Sequence, residues 1–414
     1  MKIRVESTEF SRNIVTLMTG TSVAQAIPIA ISPILTRIFT PEDFGLFALY
    51  MAITSVLGSV VSGRYELAIM LPEKKENVFH VACLSLLVTS FLTLCLFLIV
   101  LLFNDAIAEI LNRPEISFWL YLVPISVIIS GFYQTLSYWH IKNKRYKVMA
   151  TNRVMQSSAT NFSQLALGCI GSSSGLIWGG GVGQATSLFF LLRKSLLLNY
   201  FCFPFSALKV IAIAKRYKKF PILDVPTTLI NLAANQAPNI LLASFFSSST
   251  AGFYYLTQRV LQAPITLIST SVLDVFKQKA SEDYKRDGHC RKIFKKTFLV
   301  LFFMALPPSI ALYIWVEDLF TFVFGDSWRE AGKYAQLLIP ALFFRFVVNP
   351  LSFVIYIAEK QHINLVGMFF LFLSIIFSLV TADTAYFAIS MISASFCMTY
   401  FFYFITSAKM AKFL

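Results

Sequence analysis

Of the 414 residues, 57% are apolar and 14% charged, against about 25% charged in an ordinary soluble domain, so no soluble core would hide this much apolar surface. The cysteines Cys83, Cys95, Cys169, Cys202, Cys290 and Cys397 lie mostly inside apolar runs without CxxC spacing, which points away from a disulfide framework or a metal site. The formal charge of +14 raises nucleic acid as a partner, and its placement along the chain answers that question.

Apolar runs between charged or turn-rich breaks predict twelve helices, at about 13–38, 44–70, 79–103, 116–139, 154–170, 176–192, 220–246, 250–273, 297–316, 331–357, 363–381 and 387–406. The stretch 81–103 holds no charge in 23 residues, enough at 1.5 Å per residue to cross a hydrocarbon core of about 30 Å. Lys2, Arg4 and Arg12 precede the first run in the manner of a secretory signal. The run is too long and lacks a small-residue cleavage site, so it reads as a retained first helix. That helix carries Gln25, Pro28, Pro33 and, near its far end, Arg37. The second carries Arg64 and Glu66, which on a continuous helix stand about 200° apart and do not pair side by side. Gly179, Gly180, Gly181 and Gly183 in the sixth have no following lysine and serve close helix packing rather than phosphate binding. The seventh is the most polar, with Asp224, Asn231, Asn235, Gln236 and Asn239 among Pro221, Pro226 and Pro238. Arg259 lies in the eighth and Arg345 in the tenth. His80, His140, His289 and His362 fall near helix ends without metal-ligand spacing, and no nucleophile arrangement is recognisable.

With twelve spans both termini share a side, where the flanking segments hold 28 Lys and Arg against 3 opposite and 4 within spans. By the positive-inside rule both termini are then cytoplasmic in a multi-pass protein. The charge is therefore a topology signal, and no nucleic-acid partner is expected. The connection 193–219, with Lys215, Arg216, Lys218 and Lys219, falls near the midpoint and divides an N-lobe, 1–206, from a C-lobe, 207–414, lying along the anionic leaflet. Gly45-Leu-Phe and Gly252-Phe-Tyr lie 207 residues apart, and Pro124 and Lys144 echo Pro340 and Lys360 at 216. The fold expected is all-α integral membrane: about twelve transmembrane helices in two pseudo-symmetric six-helix lobes around a central cavity.

A charge near the bilayer centre costs roughly 2.5–3.5 kcal/mol on the insertion scale, so arginines in spans are expected to face a cavity or a partner. Arg259 and Arg345 are the deepest of the four; Arg64 and Arg37 lie near enough to helix ends to snorkel. Guanidinium binds phosphate oxygens bidentately, so this polar interior suits an anionic substrate. Asn231, Asn235 and Asn239, four apart on one face, with Gln25, offer hydrogen bonds either to neighbouring helices or to sugar hydroxyls. Glu66 and Asp224 are candidates for H⁺ or Na⁺ coupling, with an arginine partner on another helix as the alternative for Glu66.

Pro33-Ile-Leu-Thr-Arg37, the turn Phe39-Thr-Pro-Glu-Asp-Phe-Gly45, Arg64-Tyr-Glu-Leu-Ala68 followed by Leu71-Pro72, and Gly252-Phe-Tyr resemble the polysaccharide transporter branch of the multidrug/oligosaccharidyl-lipid/polysaccharide flippase superfamily, the Wzx-type flippases. The resemblance implies a bacterial inner-membrane protein, no enzyme and without a cofactor. It implies movement of an undecaprenyl-pyrophosphate-linked O-antigen or capsule repeat unit to the periplasmic leaflet by alternating access, driven by an ion gradient. Its partners would be the lipid-linked glycan, membrane lipids, H⁺ or Na⁺, and a polysaccharide polymerase with its chain-length regulator. A drug/cation antiporter of the same superfamily and a membrane-embedded glycosyltransferase or polymerase are the alternatives. The first wants acidic cavity residues, the second a large periplasmic loop or a catalytic acidic motif. The charge asymmetry predicts that alkaline phosphatase fused after residue 414 is inactive in cells, whereas a fusion in the 104–115 loop is active; the opposite pattern reverses the topology.

Overall fold

The computed structural model describes residues 2–196, 204–358 and 360–413; Cys202 and part of the 193–219 connection lie outside the described residues. Every regular element among them is helical, and twelve helices have 20 residues or more: α1 (Lys2–Ile38), α2 (Pro41–Val60), α3 (Lys75–Ile110), α4 (Val123–Lys142), α5 (Tyr146–Cys169), α6 (Gly175–Leu196), α7 (Val225–Phe245), α8 (Ser248–Asp287), α9 (Arg291–Phe324), α10 (Arg329–Leu351), α11 (Gln361–Thr381) and α12 (Ala385–Met410). Eight are long and apolar enough to cross a membrane by themselves, and α4 makes a ninth if joined to the bent segment Pro114–Leu120 before it. The three that fall short are α5, α7 and α8. Exposed Phe91, Leu94, Leu98 and Leu101 on α3, and Val366, Phe369, Phe370, Leu373 and Phe377 on α11, repeat at helical spacing and form apolar stripes suited to a lipid surface.

In lipid, every backbone polar group freed by a helix break needs a partner within the protein. Pro28 bears no N–H, so the carbonyl of Ala24, four residues earlier, loses its helical donor. Ser157 Oγ of α5 donates to that carbonyl at 2.6 Å, and Arg153 of α5 bonds Thr21 one turn earlier. Helix α1 thus runs unbroken through Pro28 and Pro33, held along α5. The Gly179 and Gly183 positions bring α6 equally close to α5: a Cβ on the first would press on Gln164 and one on the second on Thr160, which is the packing role expected of this run.

The second helix departs from expectation. It ends at Val60 rather than near residue 70, and Gly63 (φ 61°) and Arg64 (φ 60°) are both left-handed before a single turn, Tyr65–Ala68. An arginine at positive φ is uncommon and costs of the order of 1–3 kcal/mol. With α2 finished, the Gly58 carbonyl has no donor four residues on, and Gln134 Nε2 of α4 bonds it at 2.9 Å. The fourth helix is likewise not continuous from 116; it bends by 48° between Pro114–Leu120 and Val123–Lys142, because Pro124 brings no N–H and is suited only to a helix's first turn. The eighth runs past 273 to Asp287, where Gly288 (φ 67°) stops it.

The described chain forms two compact units, residues 1–39 with 46–232, and 40–45 with 233–414. In the first, α5 lies between α1 and α6, and α4 packs on α3 and α6. The amphipathic helix Ala207–Arg216 lays Val210 and Ile213 against Val78, Phe79 and Ala82 of α3, and Lys209 pairs with Glu76. In the second, α10 is central, touching α8, α9 and α12. The α2 start belongs to this unit. Thr40 and Asp43 cap it reciprocally, the Thr40 N–H donating to Asp43 Oδ2 at 2.9 Å and the Asp43 N–H to Thr40 Oγ1 at 3.3 Å. A Cβ on Gly252 would overlap the Pro41 carbonyl and one on Gly45 the Ser248 carbonyl, so the two glycines of the sequence echo meet across one helix crossing. Gly252→Ala is expected to lower stability by about 1–3 kcal/mol through overpacking, read as a reduced melting temperature of the purified protein; an unchanged melting temperature disproves the tight crossing.

Candidate functional site

Three charged residues converge in the first unit. The left-handed backbone at Arg64 turns its side chain toward the turn that follows. Arg64 Nη1 lies 3.4 Å from Glu66 Oε1, and Arg64 Nε donates to Asp224 Oδ2 at 2.8 Å. The expectation that Arg64 and Glu66 stand on opposite sides of a helix is therefore wrong, because no helix connects them. Glu66 is fully buried and its other oxygen accepts from Ser62 Oγ; Asp224, in the π-type turn Phe220–Asp224 ahead of α7, is 41% exposed. The left-handed strain at Arg64 is thus offset where two carboxylates meet one guanidinium.

The same unit contains a polar cleft of about 290 Å³, lined by Ser55 and Ser59 of α2, Ser130, Tyr133 and Gln134 of α4, Gln156 of α5 and Gln184 of α6 among others. None of these lining residues is charged. They escaped the sequence reading because none is charged and they come from four separate helices; only the packing of those helices gathers them. Ser55 and Ser59 donate back to the carbonyls of Ala52 and Val56, which keeps their oxygens available as acceptors.

In the second unit Arg345 of α10 is half-buried in a cavity of about 20 Å³ with Tyr254, Thr257, Gln258 and Gln262 of α8 and Phe396 and Tyr400 of α12. A volume of that size admits a water molecule and no phosphate. Gln258 Nε2 donates to Tyr254 Oη at 2.6 Å and Thr257 Oγ1 to the Ala331 carbonyl of α10 at 2.9 Å, fixing the α8 face that Arg345 meets. Among the described residues no carboxylate pairs with Arg345. Arg259, one residue on from Gln258 and so about 100° around α8, is half-buried at the edge of that face.

The remaining candidates are dispersed. Arg37 is exposed near the end of α1, and Asn231 and Asn235 are exposed on α7. Asn239 is buried and donates to Gln236 Oε1 at 3.0 Å, while its own oxygen and that of Gln25 are enclosed without a partner. No cluster of His, Cys, Asp or Glu fit to hold a metal occurs among the described residues.

Residues 34–333 match the model of a family described as polysaccharide biosynthesis protein. The chain is similar to the succinoglycan biosynthesis transport protein ExoT of Rhizobium meliloti (strain 1021), 22% identical over 315 residues that make up 74% of this chain and 60% of that relative; the match thus spans about three fifths of the relative's length. Its fold is similar to that of the lipid II flippase MurJ in an inward closed conformation, with a TM-score of 0.76 at 12% identity over 96% of this chain and 90% of that one. The MATE multidrug transporter DinF-BH matches at 0.62 and 14% identity over 95% and 93%. At these identities the structural matches establish the fold, that of two-lobed membrane transporters.

The ion-pair geometry predicts an order of stabilities. Arg64→Gln leaves Glu66 buried without its cation and is expected to cost about 3 kcal/mol, the low end for a broken buried pair. Asp224→Asn, at a partly exposed position, is expected to cost about 1 kcal/mol or less. The double variant Arg64→Gln/Glu66→Gln should recover most of the loss, and thermal unfolding of the three proteins in detergent reads the order directly.

Proposed function

The chain belongs to the polysaccharide biosynthesis protein family, and on that premise we propose that it is a flippase for an undecaprenyl-pyrophosphate-linked oligosaccharide repeat unit of the O-antigen or capsule kind. It carries the unit from the cytoplasmic to the periplasmic leaflet of a bacterial inner membrane by alternating access, with its N-lobe, 1–206, and C-lobe, 207–414, as the moving parts and both termini in the cytoplasm. The observation that carries this reading is Arg345: a half-buried guanidinium of a membrane helix, without a carboxylate partner among the described residues and sharing a small cavity with Tyr254 and Tyr400. A cation kept in that state is suited to an anion that arrives and leaves.

Elementary electrostatics gives the reason for needing it. Each charge of a pyrophosphate entering hydrocarbon alone meets a Born cost of order 20 kcal/mol, softened in practice but prohibitive for spontaneous flipping. Arg259 and Arg345 match that charge while the prenyl tail stays in lipid. The cavity beside Arg345 holds only about 20 Å³, so anion binding requires α8 and α10 to separate from the packing seen here, as alternating access demands. Gln25, Asn231, Asn235 and Asn239 bond sugar hydroxyls on the way, and Arg37 guides the anion near one membrane face.

Arg64 has a different task, since Glu66 and Asp224 already hold it. The triad is the coupling element: H⁺ or Na⁺ arriving at a carboxylate frees the guanidinium to help bind pyrophosphate. The same pairing weakens the drug/cation antiporter reading, because these two carboxylates are committed to arginine. The glycan then passes to a polymerase and its chain-length regulator.

Arg259→Ala and Arg345→Ala are expected to abolish surface polysaccharide while the protein remains in the membrane, and Lys at either position to restore it only partly, since Lys keeps the charge and loses the bidentate fork. Well-expressed alanine variants at both positions that still export normally would remove the cationic site from the mechanism. Accumulation of lipid-linked repeat units on the cytoplasmic leaflet of a deletion strain is the companion measurement for the whole function.

A further inference from the structure

We infer that the uncharged cleft of the first unit is a subsite for a neutral pyranose of the glycan, held through its hydroxyls by Gln156, Gln184, Gln134 and Tyr133; this rests on the flippase reading and adds a place for the sugar. The first support is the way the cleft is made. Close approach of α6 to α5 at Gly179 and Gly183 brings Gln156 and Gln184 to one wall. The early end of α2 supplies the other, where Gln134 donates its amide N–H to the Gly58 carbonyl and retains an acceptor oxygen.

The second support is unused hydrogen-bonding capacity. Gln184 lines the cleft and its Oε1, enclosed in this packing, has no partner, so turning the amide toward the cleft breaks no bond of that oxygen. Three amides and a phenol hydroxyl provide donors and acceptors in mixture, which is the pattern that sugar hydroxyls, each both donor and acceptor, match. An ion is a poor occupant, because no lining residue bears a charge and a cation or anion would be desolvated without compensation. At about 290 Å³, the cleft is near the lower end of small-molecule sites, about 300–1,000 Å³, a size that suits a single ring.

The full chain in detergent, titrated by native mass spectrometry, tests this with three probes: undecaprenyl pyrophosphate, and the same lipid bearing one glucose or one galactose. The wild type is expected to bind at least one glycosylated lipid about tenfold tighter than the bare lipid. Gln156→Met and Gln184→Met, close in shape and apolar, are expected to lose that preference while keeping bare-lipid affinity, which also reports that they are folded. Tyr133→Phe, which removes only a hydroxyl, is the second variant and is expected to reduce the preference several-fold. Equal wild-type binding of bare and glycosylated lipids, or a preference that survives both methionine variants, overturns the sugar subsite and leaves the flippase reading standing. Failure of the wild type to bind any of the three overturns both.

Discussion

The absence of water in a bilayer governs this structure more than any single contact, because a carbonyl released by a broken helix must be met by a side chain from another helix. Two releases organise the first unit. Pro28 frees the Ala24 carbonyl, and Ser157 takes it, setting α1 against α5. The end of α2 frees the Gly58 carbonyl, and Gln134 takes it, setting α2 against α4. Both bonds lie between distant parts of the chain, so each helix irregularity is converted into a tertiary link. The breaks are therefore positions where the packing is specified rather than defects in it.

The break after Val60 has a further effect. It places Arg64 in a left-handed conformation, and from there one guanidinium spans Glu66 and Asp224, residues 2 and 160 apart in sequence by their numbers. A continuous helix would have pointed Arg64 and Glu66 apart and left a buried carboxylate without a cation. The strain at one residue, of the order of 1–3 kcal/mol, is smaller than the cost of an unpaired buried charge, about 3–5 kcal/mol. That inequality explains why the chain tolerates an arginine at positive φ here.

The helices themselves were legible in the sequence, since runs such as 81–103 have no alternative in water. Their irregularities were less so. Val60 and Val61 continue the apolar run past the point where α2 stops, and a lone Gly63 in a span is ordinarily tolerated, so hydropathy offered no reason to end the helix. The deep arginines stood out because any charge in a span does. Gln134, Gln156 and Gln184 did not, since an amide in a span most often joins helices, and which amides gather depends on the crossing of α5 and α6 at two glycines. Gly45 and Gly252 were visible as an echo between halves; that they meet each other across backbone carbonyls is a fact of packing, to which spacing alone is blind.

The unpaired arginine and the uncharged cleft bear differently on specificity. The half-buried Arg345 lines a small cavity of the second unit with Tyr254 and Tyr400, and the uncharged cleft lies in the first. A phosphate is the same in every lipid-linked glycan, so a cation that binds it contributes affinity without choosing the sugar. Amides and hydroxyls do the reverse: each contributes little to affinity, but a sugar lacking the matching hydroxyl leaves a polar group unpaired, at a cost of about 1–3 kcal/mol. Under the proposed function, discrimination among repeat units would fall to groups such as Gln156 and Gln184, and the arginines would set whether any is moved.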